Sequence, residues 1–308
     1  MRHDLEIRTA LPAPGPKGAR ALPPLLFVHG AYCDAWCWAV HMLPWFASRG
    51  FAAHALSLRG HGKSPGRDEM GSVHLSDYID DIRDVVGTLG QRPILVGHSM
   101  GAALVERLIA DEPFPGAALV SPVPPSGLLP VLTRLWWGRP QFFLHAHALH
   151  DHMNPVSAST LREFYFTERA PQEILHRAMR HLSPESPSAV MELTWKGRAF
   201  AAEAASTPVT VIAGGADALF TPRDAQATAS RYGTEAIVLE GLPHMMMLEP
   251  GWELLAETIA RWIDTVVPGS STAAPAAPAT PASPASSASP KPLREPDRRR
   301  SDAKSRAR

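Results

Sequence analysis

The sequence predicts an α/β fold, a mostly parallel, doubly wound sheet with an inserted helical segment. Three observations predict it. Short, continuous apolar runs recur at strand length, as expected for strands buried on both faces of a parallel sheet. Helix-length amphipathic segments alternate with them, which right-handed crossovers convert into a two-faced α/β layer structure. The alternation stops between Pro122 and about Arg198, then resumes.

In chain order, Asp4–Ala10 alternates in character and suits an antiparallel edge strand. The candidate buried strands are Leu25–Val28, Ala52–Leu58, Ile94–Val96, Ala117–Val120, Val209–Ala213 and Ala236–Leu239. Between them, Leu75–Leu89 sets Ile79, Ile82, Val85, Val86 and Leu89 at helical spacing. Ala102–Ala110 and Trp252–Val266 read as helices too. The stretch from Pro122 to about Arg198 reads as short helices with Pro breaks, rich in Trp, Phe, His and Leu. Its aromatic content suits a lid over a site. Beyond Pro268, Ala, Pro and Ser dominate up to Pro290, followed by a run containing Arg298–Arg300. So few apolar residues build no core, and the segment reads as disordered. The expected organisation is an edge strand and lead-in at 1–21, core at 22–121, helical lid at 122–198, core at 199–267 and tail at 268–308.

Composition excludes several classes. The formal net charge is zero, but residues from Pro268 onward carry eight Lys/Arg against three Asp/Glu, leaving 22 against 27 before them. A mildly acidic body gives no reason to expect nucleic acid there. The basic tail reads first as a solubilising segment, with an acidic partner as the alternative. Cys33 and Cys37 are the only cysteines, too few for a disulfide framework and a poor metal site. On a helix they would share a face as buried thiols. No apolar stretch approaches the roughly 20 residues that span a bilayer, and the N-terminus has no secretory pattern, so a cytoplasmic location is expected.

The chemistry concentrates after the strands. Gly97-His98-Ser99-Met100-Gly101 follows Ile94–Val96 and precedes a helical segment. A serine on such a strand-to-helix turn stands above the carboxyl edge of the sheet, and its neighbours two positions away must be small. The helix behind it offers unpaired N–H groups and a positive dipole end. A serine nucleophile needs a base, and the base needs an orienting carboxylate. His244 lies after the last predicted strand, and Asp217 follows Val209–Ala213 across Gly214-Gly215. Both loops return to the edge where Ser99 sits. Acyl transfer also needs two N–H donors for an oxyanion. Met100 N–H is one, and Ala31 N–H, just past His29-Gly30, is the other.

With Phe27-Val28-His29-Gly30, Leu58-Arg59-Gly60-His61-Gly62-Lys63-Ser64, the Ser99 pentapeptide, Gly214-Gly215-Ala216-Asp217 and Pro243-His244, the chain resembles the α/β-hydrolase superfamily over about residues 22–267. Ala35-Trp36-Cys37-Trp38 and His244-Met245-Met246-Met247-Leu248-Glu249-Pro250 resemble its esterase and hydroxynitrile-lyase branch. The resemblance implies the order nucleophile Ser99, acid Asp217, base His244, with no catalytic role for His61. In that branch the lyases carry Lys after the catalytic histidine and esterases carry Met; Met245 points to ester hydrolysis. A lyase, or a cofactor-free oxidative enzyme on the same scaffold, is the alternative. The expected substrate is a small-molecule ester with an apolar acyl or alcohol part, received by Leu128, Leu132, Leu135, Trp136, Trp137, Phe142 and Phe143. No cofactor and no metal are expected. The run His145-Ala146-His147-Ala148-Leu149-His150-Asp151-His152 would not converge on one tetrahedral centre if helical, and it reads as polar surface. His176 and His181 read as solvent-facing.

Overall fold

A computed structural model describes residues 4–14, 22–143, 157–195 and 206–267. Its strands are β1 (Ile7–Ala10), β2 (Leu25–Val28), β3 (Ala53–Leu56), β4 (Ile94–His98), β5 (Ala117–Val120), β6 (Val209–Gly214) and β7 (Ala236–Leu239). They form one seven-stranded sheet in the order β1-β3-β2-β4-β5-β6-β7. β1 runs antiparallel to β3, with Ile7 opposite Leu56; the other pairings are parallel. The chain goes one way from β2 to β3 and the other way from β4 onward. The crevice at the carboxyl ends of β2 and β4 is therefore the topological switch point, where sheets of this kind bind ligands.

Every residue of β2, β4 and β5 is buried. Their side chains alternate between two cores. Leu25 and Phe27 pack with Trp38, Phe46 and Ile259 on one face, and Leu26 and Val28 with Ile82, Leu104 and Leu108 on the other. Full burial of each such side chain stabilises by roughly 1.5–3 kcal/mol. β7 departs from the expectation of two-sided burial. It is the last strand, and Ile237 and Val238 are exposed there.

The helices are α1 (Trp36–Ala39), α2 (Met42–Ala47), α3 (Leu75–Thr88), α4 (Met100–Asp111), α5 (Leu129–Gly138), α6 (Ala158–Tyr165), α7 (Gln172–Arg180), α8 (Pro187–Trp195), α9 (Pro222–Arg231) and α10 (Trp252–Val266). α3 starts with a capping box between His74 and Asp77. Gly90 follows its end at a left-handed φ of 70°. α1 begins after Cys33, so the two cysteines share no helix; Cys37 is buried and Cys33 half-buried.

Helices α5 to α8 form the insertion between β5 and β6. Several polar contacts seat it on the body. His74 Nδ1 meets Glu192 Oε1 at 2.5 Å, and Ser186 Oγ donates to the Val73 carbonyl at 2.5 Å. Met245 N–H donates to the Tyr165 carbonyl at 2.9 Å. The predicted tail, 268–308, and the His145–His152 run lie outside the described residues. Among the described residues, no helix is long and apolar enough to cross a membrane.

Candidate active site

The turn after β4 forces Ser99 into an unusual backbone, φ 53° and ψ −118°, as the residue preceding α4. A non-glycine residue at positive φ is strained and persists only where its surroundings over-determine it. Here the surroundings require glycine on both sides. A Cβ on Gly97 would lie 2.5 Å from the Gly101 carbonyl oxygen, and one on Gly101 would lie 2.4 Å from that of His29. The turn is pinned to the sheet by Ser99 N–H, which donates to the Val120 carbonyl at 3.0 Å. Ser99 itself is buried. Met100 N–H sits in the first turn of α4, where N–H groups have no partner within the helix.

Asp217 and His244 arrive on the loops after β6 and β7. His244 Nδ1 and Asp217 Oδ2 are 2.8 Å apart, and both side chains are buried. Three further donors fix the carboxylate. Leu219 and Phe220 N–H groups reach Oδ1 at 2.8 and 2.9 Å, and Ser121 Oγ reaches Oδ2 at 2.9 Å. Ser121, directly after β5, also has a positive φ of 42°. With Nδ1 committed to the carboxylate, Nε2 is the nitrogen left for a proton from elsewhere.

His98 adds a second imidazole. Its Nε2 donates to the His244 carbonyl at 3.0 Å, since that oxygen can only accept. Its Nδ1 is buried and has no hydrogen-bond partner among the described residues. Burial, and then the neighbouring His244, hold His98 well below the ordinary imidazole range. The ring is therefore neutral and latches the His244 loop.

Ser99, His244, His98, Ala31 and Met100 line one cavity of about 420 Å³. Most of its remaining wall is apolar, and much of it comes from the insertion: Leu128, Leu132, Leu135, Phe142 and Phe143 among others. Trp136 and Trp137, expected in this wall, are 57% and 82% exposed. The reason is helical geometry. Leu128, Val131, Leu132 and Leu135 share one stripe at 3.6-residue spacing, and each later residue turns about 100° away. Trp136 meets the wall residue Phe143 edge-on, ring centroids 5.2 Å apart.

Other residues in the cavity escaped the sequence reading. Tyr32, Tyr165, Val190, Leu219 and Phe220 face it. Tyr32 carried a signal, its place directly after Ala31; the others come together only by packing. His176 is exposed, as expected. His181 is not simply solvent-facing: it stacks on Trp36 at 4.5 Å, and its Nδ1 lies 2.8 Å from Asp34 Oδ2. Among the described residues no group of three His, Cys, Asp or Glu could hold a metal ion.

A family model described as "Alpha/beta hydrolase family" matches residues 25–258. The monoacylglycerol lipase of Mycolicibacterium smegmatis is 28% identical over 245 residues, 72% of this chain and 81% of that one. A non-heme chloroperoxidase of Burkholderia pyrrocinia is 36% identical over 118 residues, covering 36% of this chain and 40% of that protein. The crystal structure of the Paleococcus ferrophilus monoacylglycerol lipase matches with a TM-score of 0.59 at 18% identity. That match spans 85% of this chain and 99% of the other, and at this identity the likeness is one of fold.

Proposed function

The chain belongs to the alpha/beta hydrolase family, and from that premise we propose that it is a serine hydrolase cleaving carboxylic esters of small or medium apolar substrates. The observation that carries this reading is one apolar cavity holding both the strained Ser99 and His244, itself bonded to Asp217 at 2.8 Å. Ser99 Oγ attacks the ester carbonyl while His244 Nε2 takes its proton. Asp217 keeps the Nδ1–H tautomer and stabilises the imidazolium. Met100 and Ala31 N–H groups receive the developing oxyanion. His244 returns the proton to the leaving alcohol, and an acyl-enzyme on Ser99 remains. Water activated by His244 then releases the acid. The wall from α5 and the 142–143 pair gives the apolar part of the substrate a dry place, and α5 to α8 act as a lid. Likeness in sequence to the Mycolicibacterium smegmatis monoacylglycerol lipase supports ester cleavage.

A nitrophenyl ester series of varied acyl length, run beside fluorophosphonate labelling, tests the reading. Turnover and labelling at Ser99 are expected; neither one appearing in the folded protein would refute it. The likeness to a chloroperoxidase favours one rival, an oxidative reaction on the same residues. Peroxide-dependent halogenation that exceeds ester turnover would favour that rival.

A further inference from the structure

The backbone that presents Ala31 is held by a chain of buried side chains that ends in the insertion. His29 Nδ1 donates to the Gly30 carbonyl at 2.8 Å. That carbonyl and the Ala31 N–H belong to one trans peptide plane and point in opposite directions, so holding the oxygen aims the N–H. His29 Nε2 accepts the Leu58 N–H at 3.0 Å. The ring must then be neutral, with its single proton on Nδ1, because a second proton would face another N–H. Burial, reinforced by His61, pushes the His29 imidazolium down to about 3.

His61 has the opposite requirement. Its ring lies 5.0 Å from that of His29. Its Nδ1 faces the Arg59 carbonyl at 3.0 Å, and its Nε2 faces Glu185 Oε2 at 3.2 Å. A carbonyl and a carboxylate only accept, so both nitrogens donate and the ring is an imidazolium. Glu185 is ionised for a matching reason: its Oε1 accepts from Tyr78 Oη at 2.5 Å and from Ser186 N–H at 2.8 Å. Burial opposes the charge on each partner. It is outweighed on His61 by Glu185 and on Glu185 by His61, Tyr78 and Ser186, which raises the first and lowers the second. Arg67 works against the His61 proton, and Glu185 and Glu6 each favour a second proton on His29, which burial and His61 outweigh. Glu185 lies just ahead of α8, so its charge reaches His61 only while the insertion is seated. Two residues earlier, Ser183 N–H donates to the Tyr32 carbonyl at 3.0 Å, beside Ala31.

We propose that Glu185 is a positioning residue for the Ser99 site: seated on His61, it keeps His61 doubly protonated, bonded to the Arg59 carbonyl and packed against the neutral His29 ring that aims Ala31 N–H into the cavity. The insertion thus completes the oxyanion side of the site when it docks. This rests on the serine-hydrolase reading.

The test compares the full chain with Glu185→Gln, His61→Asn and the double variant. Nitrophenyl ester kinetics are read together with nitrogen NMR of the imidazoles at pH 7. The wild type should show His61 as an imidazolium and His29 as the neutral Nδ1–H tautomer. Glu185→Gln still accepts from Tyr78 and Ser186 and should fold, but His61 should become neutral. Its kcat should fall by about tenfold or more at nearly unchanged KM, short of the ~10²–10³ lost with a whole oxyanion donor. The double variant should be no slower than the slower single one, as for groups acting as a unit. A lowered thermal midpoint with unchanged kcat would overturn the proposal and leave Glu185 as packing. If Glu185→Gln does not fold, the wild-type spectrum decides, and a neutral His61 or an Nε2-protonated His29 overturns it. A wild type that neither hydrolyses esters nor takes fluorophosphonate refutes the underlying reading separately, because the spectrum still judges the proton arrangement.

Discussion

Ser99 lies at φ 53°, and the atoms that hold it there belong to Gly97, Gly101 and the His29 carbonyl. Ser99→Ala should therefore keep the fold and lose at least ~10⁴-fold in ester turnover, measured on purified, spectroscopically native protein. Asp217→Asn should cost roughly 10⁴-fold through the wrong tautomer and the lost counter-charge. Glu240 is the acidic residue nearby in sequence, but its side chain is exposed and lies beside Gly215. Glu240→Gln should leave turnover unchanged, and the reverse ranking of these two variants would reassign the acid. At this scale the candidate site was legible because the turn demands small residues at fixed offsets. Ser121 was not. Its hydroxyl bonds Asp217 across a sequence gap of 96 residues, and nothing local marks it.

At the scale of the element, α5 shows what a run of apolar residues leaves undecided. Its sequence offers Leu128, Leu132 and Leu135 next to two tryptophans, and aromatic content alone favours the tryptophans as pocket residues. The stripe geometry turns the leucines inward and leaves Trp136 and Trp137 exposed. Phe143→Ala should thus shift the kcat/KM ratio of long over short acyl esters by roughly tenfold, while acetyl ester turnover stays near wild type. Trp137→Ala should move neither quantity. If Trp137→Ala changes the ratio and Phe143→Ala does not, this assignment of the wall is wrong. The missed α9 carried its own signal, a Thr221–Asp224 capping box with Pro222 at the first turn. Its polar surface hid it from a search for apolar periodicity. α1 and α2 are too short for periodicity to register.

For the whole molecule, buried ionisable groups set the response to acid. His29 is pushed down to about 3 from 6.5, and His98 also lies well below 6.5. The unfolded chain binds protons there that the fold refuses, so the contribution of these two histidines is full above pH 6.5 and falls as pH drops. Burial pushes Glu106 the other way, up to about 7 from 4.5. The fold keeps its proton where the unfolded chain has lost it, so its contribution is full below pH 4.5 and is lost as pH rises towards 7. From pH 6.5 to 4.5 Glu106 offsets part of what the two histidines lose. Below 4.5 that offset ends, and Glu185, whose pKa is lowered, begins to lose its contribution too. The thermal midpoint should decline gently from pH 6.5 to 4.5 and more steeply below. Glu106→Gln should steepen the upper part of that curve, and a midpoint that rises on acidification from pH 6.5 to 4.5 would contradict the balance.

By itself the sequence determined the sheet, the placing of its carboxyl edge, and the loops that bring Ser99, Asp217 and His244 there. Those features are written locally, in apolar runs of strand length and in glycines and polar residues that end them. Only the tertiary structure decided which residues wall the cavity, why Ser121 holds Asp217, and how Glu185 reaches His61 124 residues away. Each depends on the angle at which an inserted helix or loop docks. That angle is set by the sum of many weak contacts between segments far apart in the chain, and no short stretch of sequence records the sum.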